Sequence, residues 1–267
     1  MSYNYRGLWT CRNDAADSGV PDGWTLRDGT AAQWSVADVG THRRIIQFSN
    51  PRHDPCGVPY HIQNQFPVDF NSGWISFSLN CDEQCSWTQV LECYVSFLDE
   101  DGTVVLELSM YYLYDSDYLK FRNSKSGGVD IIRTFGFEED DFWVSFKGEI
   151  TYNSSTGQYG WASTYLKKDS EGSWTSYGSF TGFTSPNKKK IRYIVLGNGY
   201  WNRYALFRYD SFAVSSLENP SYKYECAQDD PITEEKIIAN NVLGTKVAKI
   251  NGVSVANIKK IHEVNSI

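Results

Sequence analysis

The side chains that could do chemistry in this chain are its carboxylates, its four histidines and its six cysteines. Glycoside hydrolysis with retention needs two carboxylates about 5 Å apart, which a β-strand supplies by setting them at alternate positions on one face. The alternating Glu-x-Asp-x-x-Glu pattern is absent. The nearest clusters, Asp99-Glu100-Asp101 and Glu138-Glu139-Asp140-Asp141, are contiguous and sit beside turn or loop residues, as solvated edges do. His42, His53, His61 and His262 accompany no Ser or Cys nucleophile motif. His53-x-x-Cys56-x4-His61 with Cys81-x3-Cys85 has the right atoms for zinc, but its spacing matches no tight tetrahedral knuckle. Asp115-Ser116-Asp117 falls short of the six to eight oxygens that calcium takes. The expectation is a chain that is not an enzyme and holds no metal or cofactor.

Binding is the chemistry left. Sugars are recognised by stacking their apolar faces on aromatic rings while polar neighbours take the hydroxyls. Trp87, Trp174 with Tyr177, and Tyr200-Trp201-Asn202 lie in loop-like surroundings that suit this role. Core packing and edge cover compete for the same rings in so aromatic a chain.

The elements that must position these residues are strands. Aromatic residues make up 15% of the 267 residues against 2 Met, a balance that favours pleated sheet. Short alternating runs predict strands over Ala32–Val36, Arg44–Phe48, Trp74–Leu79, Glu92–Leu98, Val104–Met110, Tyr118–Arg122, Trp143–Tyr152, Gly160–Lys167, Ile191–Gly197 and Tyr209–Val214. Asp99-Glu100-Asp101-Gly102, Asn153 to Gly157 and Lys168 to Ser173 read as hairpin turns between them. The fold class expected is all-β, an antiparallel jelly-roll sandwich.

Charge excludes other classes. The net charge is −7, and basic residues are scattered singly or in pairs except at Lys188-Lys189-Lys190, so no basic stripe serves nucleic acid. No run of 18 apolar residues occurs, and the N-terminus lacks a basic region followed by an apolar one; membrane insertion and Sec export are not expected. Cys11, Cys56, Cys81, Cys85, Cys93 and Cys226 leave three readings open: buried small hydrophobes, disulfides formed after release from a cell, or the metal set above. Cys93, in Val-Leu-Glu-Cys-Tyr-Val-Ser-Phe, fits the first.

The rhythm breaks after Ser215, where Asn219-Pro220 and Asp229-Asp230-Pro231 bracket a polar stretch. Four segments follow: an N-terminal arm or edge over 1–20, a sandwich over 21–216, a linker over 217–233 and a β-rich element over 234–267. Beyond Ile237 there is no aromatic residue. Val247-Ala-Lys-Ile250-Asn-Gly-Val253 aligns at an offset of eleven with Ile258-Lys-Lys-Ile261-His-Glu-Val264. Two readings suit this: short strands turning about a narrow axis, or stacked hairpins in which Asn251-Gly252 sets Ile250 opposite Val253 and Ala248 opposite Val255. So short an element buries too little alone, so Val247, Ile250, Val253, Val255, Ile258, Ile261 and Val264 are expected to mediate assembly, three copies about an axis being the simplest case.

Asp22-Gly23-Trp24, Trp34 to Asp38, Arg44 to Phe48 and the closing Tyr209 to Val214 together resemble the opening and closing strands of concanavalin A-like lectin/glucanase sandwiches over about residues 20–216. The tail from Gly244 to Ile261 is similar to short repeats that end many tailed-bacteriophage structural proteins, although His262-Glu263 stands where the second copy of such repeats often has Asn-Gly. These resemblances imply a virion protein made in the host cytoplasm: a head decoration, head fibre or tail fibre component. Its partners would be other virion proteins, identical tails as a homotrimer, and a host-surface glycan. The alternatives are a carbohydrate-binding adhesin and a glycan-cleaving enzyme of the same fold. Polysaccharide lyases of this fold use a strand-borne Arg, a Gln-x-His segment and a late Tyr, for which Arg44, Gln47, His61 and Tyr200 are the nearest candidates.

Overall fold

A computed structural model describes residues 4–6, 18–40, 42–50, 60–82, 90–113, 118–136, 143–198, 205–215, 249–250 and 253–254. The chain divides into two units, Met1–Asp229 and Asp230–Ile267. The described residues of the first unit are strands and turns: β1 (Asn4–Arg6), β2 (Thr25–Asp28), β3 (Trp34–Val39), β4 (His42–Asn50), β5 (His61–Phe70), β6 (Gly73–Asp82), β7 (Val90–Asp99), β8 (Val104–Leu113), β9 (Tyr118–Lys125), β10 (Gly128–Gly136), β11 (Trp143–Asn153), β12 (Gln158–Lys168), β13 (Thr175–Thr184), β14 (Ile191–Asn198) and β15 (Ala205–Ser215), with one short 3-10 turn at Ala31–Gln33.

These strands form two antiparallel sheets. One runs β13-β12-β11-β6-β15-β4-β3 with β1 also paired to β15; the other runs β10-β9-β8-β7-β14-β5-β2. Their inner faces share one core, so the unit is an all-β sandwich of jelly-roll type. The closing strand returns beside an opening one, with Phe207 paired to Phe48 and Tyr209 to Ile46. All ten expected strands are present, the first starting at Trp34 because Ala31–Gln33 coils. β1, β2, β5, β10 and β13 are additional. Pro67 and the polar run Gln63-Asn64-Gln65 hide β5, and Pro67 falls between the paired residues Gln65 and Phe70, where the ladder with β14 is interrupted. β13 is rich in Gly, Ser and Thr and stands at a sheet edge, where hydrophobic alternation is weakest.

Aromatic rings fill the space between the sheets. Phe146 of β11 lies 5.1 Å from Phe77, 5.7 Å from Phe121 of the opposite sheet and 5.1 Å edge-on from Trp161. Such pairs add about 0.5–1.5 kcal/mol each beyond area burial. Gly148 makes the approach possible, since a β-carbon there would come 2.7 Å from both the Phe146 and Trp161 rings. The Trp161 indole donates to Asn123 Oδ1 at 3.1 Å, and the Asn123 amide donates to the Thr181 carbonyl at 2.8 Å, pinning the two sheets by buried polar bonds. Cys93 is fully buried and burial pushes its thiol up to about 12, as a small core hydrophobe.

The turns do what their sequences ask. Asp99 Oδ1 accepts the amides of Asp101 and Thr103 at 3.0 and 2.9 Å, and Gly102 takes the left-handed φ of +79° that closes the β7–β8 hairpin. Glu171, between β12 and β13, receives both arms of the Arg133 guanidinium from β10 and so ties the edges of the two sheets together.

In the second unit β16 (Lys249–Ile250) pairs antiparallel with β17 (Val253–Ser254), Ile250 in register with Val253. This is the hairpin register among the two readings of the tail. Val247, Val255, Ile258, Ile261 and Val264, and with them the second copy of the offset, lie outside the described residues.

Candidate carbohydrate-binding face

Because successive side chains in a strand point to opposite faces, the core residues of the eight-stranded sheet reveal what its outer face carries. Ile75, Phe77 and Leu79 of β6 and Val144, Phe146 and Ile150 of β11 point inward. Their alternates therefore point out, and the strand register arranges them in rows: Trp143–Asn80–Arg208–Gln47, then Lys167–Ser145–Ser78–Asp210, then Tyr165–Lys147–Ser76–Ala213, then Ser163–Glu149–Trp74–Ser215.

The centre of this face is polar yet shielded from water. Asn80 and Ser78 are 0% exposed, Lys147 2%, Asp210 6% and Arg208 7%. Burial of such groups is tolerable only if they bond to one another. Arg208 Nη1 donates to Asn80 Oδ1 at 2.8 Å and its Nε to Gln47 Oε1 at 3.3 Å. Ser78 and Ser145 hydroxyls meet at 3.0 Å. His42 sits between carboxylates, Nδ1 2.8 Å from Asp210 Oδ2 and Nε2 3.5 Å from Asp169 Oδ2, with its ring stacked 3.8 Å from Trp143. Two left-handed residues flank this pair: Arg44 at φ 54°, whose amide donates to Asp38, and Ser211 at φ 59°, within the irregularity of β15 that follows Asp210. The Ser76 hydroxyl, across from Lys147, is buried with no hydrogen-bond partner among the described residues, a position suited to holding a water.

Toward β13 the face becomes aromatic. Lys147 Nζ lies 4.5 Å from the Trp174 ring centroid and 5.2 Å from that of Tyr165, which in turn is 6.1 Å from Trp74. Burial lowers the Lys147 pKa to about 8. Trp174 and Tyr165 keep part of their surface open.

Further along β11 the row after Glu149 is Thr151–Gly160–Thr181. Gly160 provides the floor of a cleft of about 350 Å³ whose lining includes Tyr152, Asn153, Ser179 and Phe180. A side chain could not stand there, since a β-carbon would come 2.8 Å from the Phe180 carbonyl. From Lys147 to Thr151 the strand rises roughly 13 Å, long enough for an oligosaccharide rather than one ring. Aromatic flank, buried donors and hydroxyl-lined cleft together can stack and hydrogen-bond a polyol.

Of the ring candidates, Trp174 belongs to this face, whereas Tyr177 packs against the core cluster near Arg133 and Glu171. Trp87, Tyr200 and Trp201 lie outside the described residues. Arg44, Gln47 and His61 do not form one site: Gln47 bonds Arg208 on this sheet, while His61 stands on the other sheet with Nδ1 2.8 Å from Asp28. Sequence reasoning missed Trp74, Lys147 and Tyr165. The alternation Trp143-Val-Ser-Phe-Lys-Gly-Glu149 was the available signal, but only the register of neighbouring strands brings the three together. Among the described residues no group of three or more His, Cys, Asp or Glu could hold a metal ion, and no helix is long and apolar enough to cross a membrane.

No protein-family model matches the chain, and no curated protein matches it. Among solved structures it is similar to a carbohydrate-binding module, CBM2, of the evolved Dit of Lactobacillus casei BL23 phage J-1, at 12% identity and TM-score 0.45 over 82% of this chain and 99% of that one. It is similar to lectin II from Ulex europaeus, at 11% identity and TM-score 0.44 over 81% and 99%. A β-glucanase of Bacillus licheniformis aligns at 10% identity and TM-score 0.45 over 81% and 98%. At identities and scores this low, no binding or catalytic property carries over, and the sandwich rests on its own strand pairing.

Proposed function

We propose that this chain is a non-enzymatic attachment or assembly component of a bacteriophage virion, in which the sandwich binds a saccharide across the outer face of its eight-stranded sheet. The observation that carries the binding reading is the cluster of Trp174, Tyr165 and Lys147 beside a glycine-floored, hydroxyl-lined cleft. Rings presented next to polar donors match the mixed character of a sugar surface. Binding is favoured over turnover because two carboxylates of the face, Asp210 and Asp169, are both turned to His42, which leaves Glu149 as the carboxylate in the rows beside the aromatic cluster. The virion role rests on the tail's resemblance to phage repeats and on the pairing of Ile250 with Val253.

Glycan-array binding followed by calorimetry tests the reading. Saccharide binding that weakens in Trp174→Ala and Tyr165→Ala supports it. Release of reducing ends or unsaturated products from any polysaccharide would overturn the non-enzymatic part, and silence on the array would overturn the binding part.

A further inference from the structure

The one run of three basic residues in this acidic chain, Lys188-Lys189-Lys190, belongs to a turn hydrogen-bonded to the cleft residues Tyr152 and Tyr159. Buried Asp99 accepts the Ser185 hydroxyl at 2.6 Å, and that hydroxyl in turn accepts the Lys189 amide at 2.9 Å. Ser185 N donates to the Gly157 carbonyl at 2.9 Å and Lys188 N to the Ser185 carbonyl at 3.1 Å. The Lys188 carbonyl accepts the hydroxyl of Tyr152, a residue that lines the cleft, at 2.8 Å. Lys188 is held by these bonds at φ 54°, a conformation that a long side chain adopts only at a cost. Its Cγ lies 3.3 Å from where a β-carbon on Gly157 would stand, next to the cleft residue Gln158.

The charges of the run are not equivalent. Lys189 pairs with Glu100 at 3.6 Å. Lys188, whose Cγ lies near Gly157, is exposed and makes no ion pair among the described residues, so its ammonium is open to an anion. Resting on the saccharide-binding reading above, we propose that this cleft selects an acidic saccharide, one bearing carboxylate or sulfate, with Lys188 taking the anionic group while the hydroxyls of Thr151, Ser179 and Thr181 meet the ring. A cation on a fixed turn beside neutral hydroxyls discriminates a charged sugar from a neutral one by a charge-assisted hydrogen bond.

Calorimetry on the full chain with an oligogalacturonate, a heparin oligosaccharide, a neutral maltooligosaccharide and polyglutamate decides the matter. The expected result is binding of one or both acidic saccharides that falls about tenfold in Lys188→Gln, recovers in Lys188→Arg and weakens with added salt. The carboxylate and sulfate arms identify which anion is read. Equal binding of the neutral oligosaccharide, or acidic binding untouched by Lys188→Gln, would overturn the charge selection and leave saccharide binding standing. Polyglutamate binding as tightly as the acidic sugars would overturn it in favour of unspecific attraction. No binding of any saccharide would overturn both readings.

Discussion

The ammonium of Lys147 stands 4.5 Å from the centre of the Trp174 ring, on a strand position that is almost wholly buried. A cation over an aromatic face gains about 0.5–2 kcal/mol, while loss of hydration works against it. The depressed pKa of about 8 says that desolvation wins.

That balance has a pH signature. The unfolded chain takes up the Lys147 proton near its ordinary 10.5, but the folded chain only near 8. Between those values the unfolded state holds more protons, so this group makes stability rise with pH through that window. Chemical denaturation of Lys147→Met is expected to show a flatter pH dependence from 8 to 10.5 and a gain of roughly 1–3 kcal/mol at pH 7. Saccharide affinity of the same variant should fall. A destabilised Lys147→Met would show that the lysine's contacts outweigh its burial.

Acid should act through the opposite sign. The Arg133 guanidinium holds the Glu171 carboxyl below the usual carboxylate range by hydrogen bonding to it. The stability this supplies is present above the ordinary Glu pKa and is lost as pH falls through the lowered folded value. Glu171→Gln is expected to cost about 1–3 kcal/mol at pH 7, a cost that shrinks in acid, as urea titrations at the two pH values would measure.

The core predicts a steric limit at Gly148. Its missing β-carbon leaves room for the Phe146 and Trp161 rings, so Gly148→Ala should destabilise by about 1–3 kcal/mol, read as a shifted denaturation midpoint. Asn123→Ala leaves the Trp161 indole N–H buried without its acceptor and should cost a similar amount.

The tail makes a separate prediction. If Ile250, Val253 and the apolar residues that follow drive association, sedimentation of a chain ending at residue 233 should give a monomer where the full chain gives a trimer. An unchanged mass would remove the assembly role from this segment.

Much of the sandwich was legible because its cause is local. Alternation such as Trp143-Val-Ser-Phe and the Asp-Gly turn at Gly102 are decided by neighbouring residues and by backbone torsion. β5 and β13 escaped because Pro67 in one, and Gly and Ser at a sheet edge in the other, mask a strand that only its partner stabilises, and β1 and β2 because three or four residues are too short for a visible alternation. The candidate site escaped further. Lys147, Tyr165 and Trp174 come from three stretches of sequence, and Trp174 and Tyr177, three residues apart, serve the outer face and the core respectively.

What the residues determined by themselves was the kind of element: aromatic, alternating strands with tight turns, and a tail free of aromatic residues. What only the tertiary structure decided was which side chains share a face. Strand register brings Lys147 beside Tyr165 and Ser76, and a shift by one residue would turn each of them to the other side. Register is settled by burying one face of every strand against the opposite sheet, a sum over the whole core that no single segment contains.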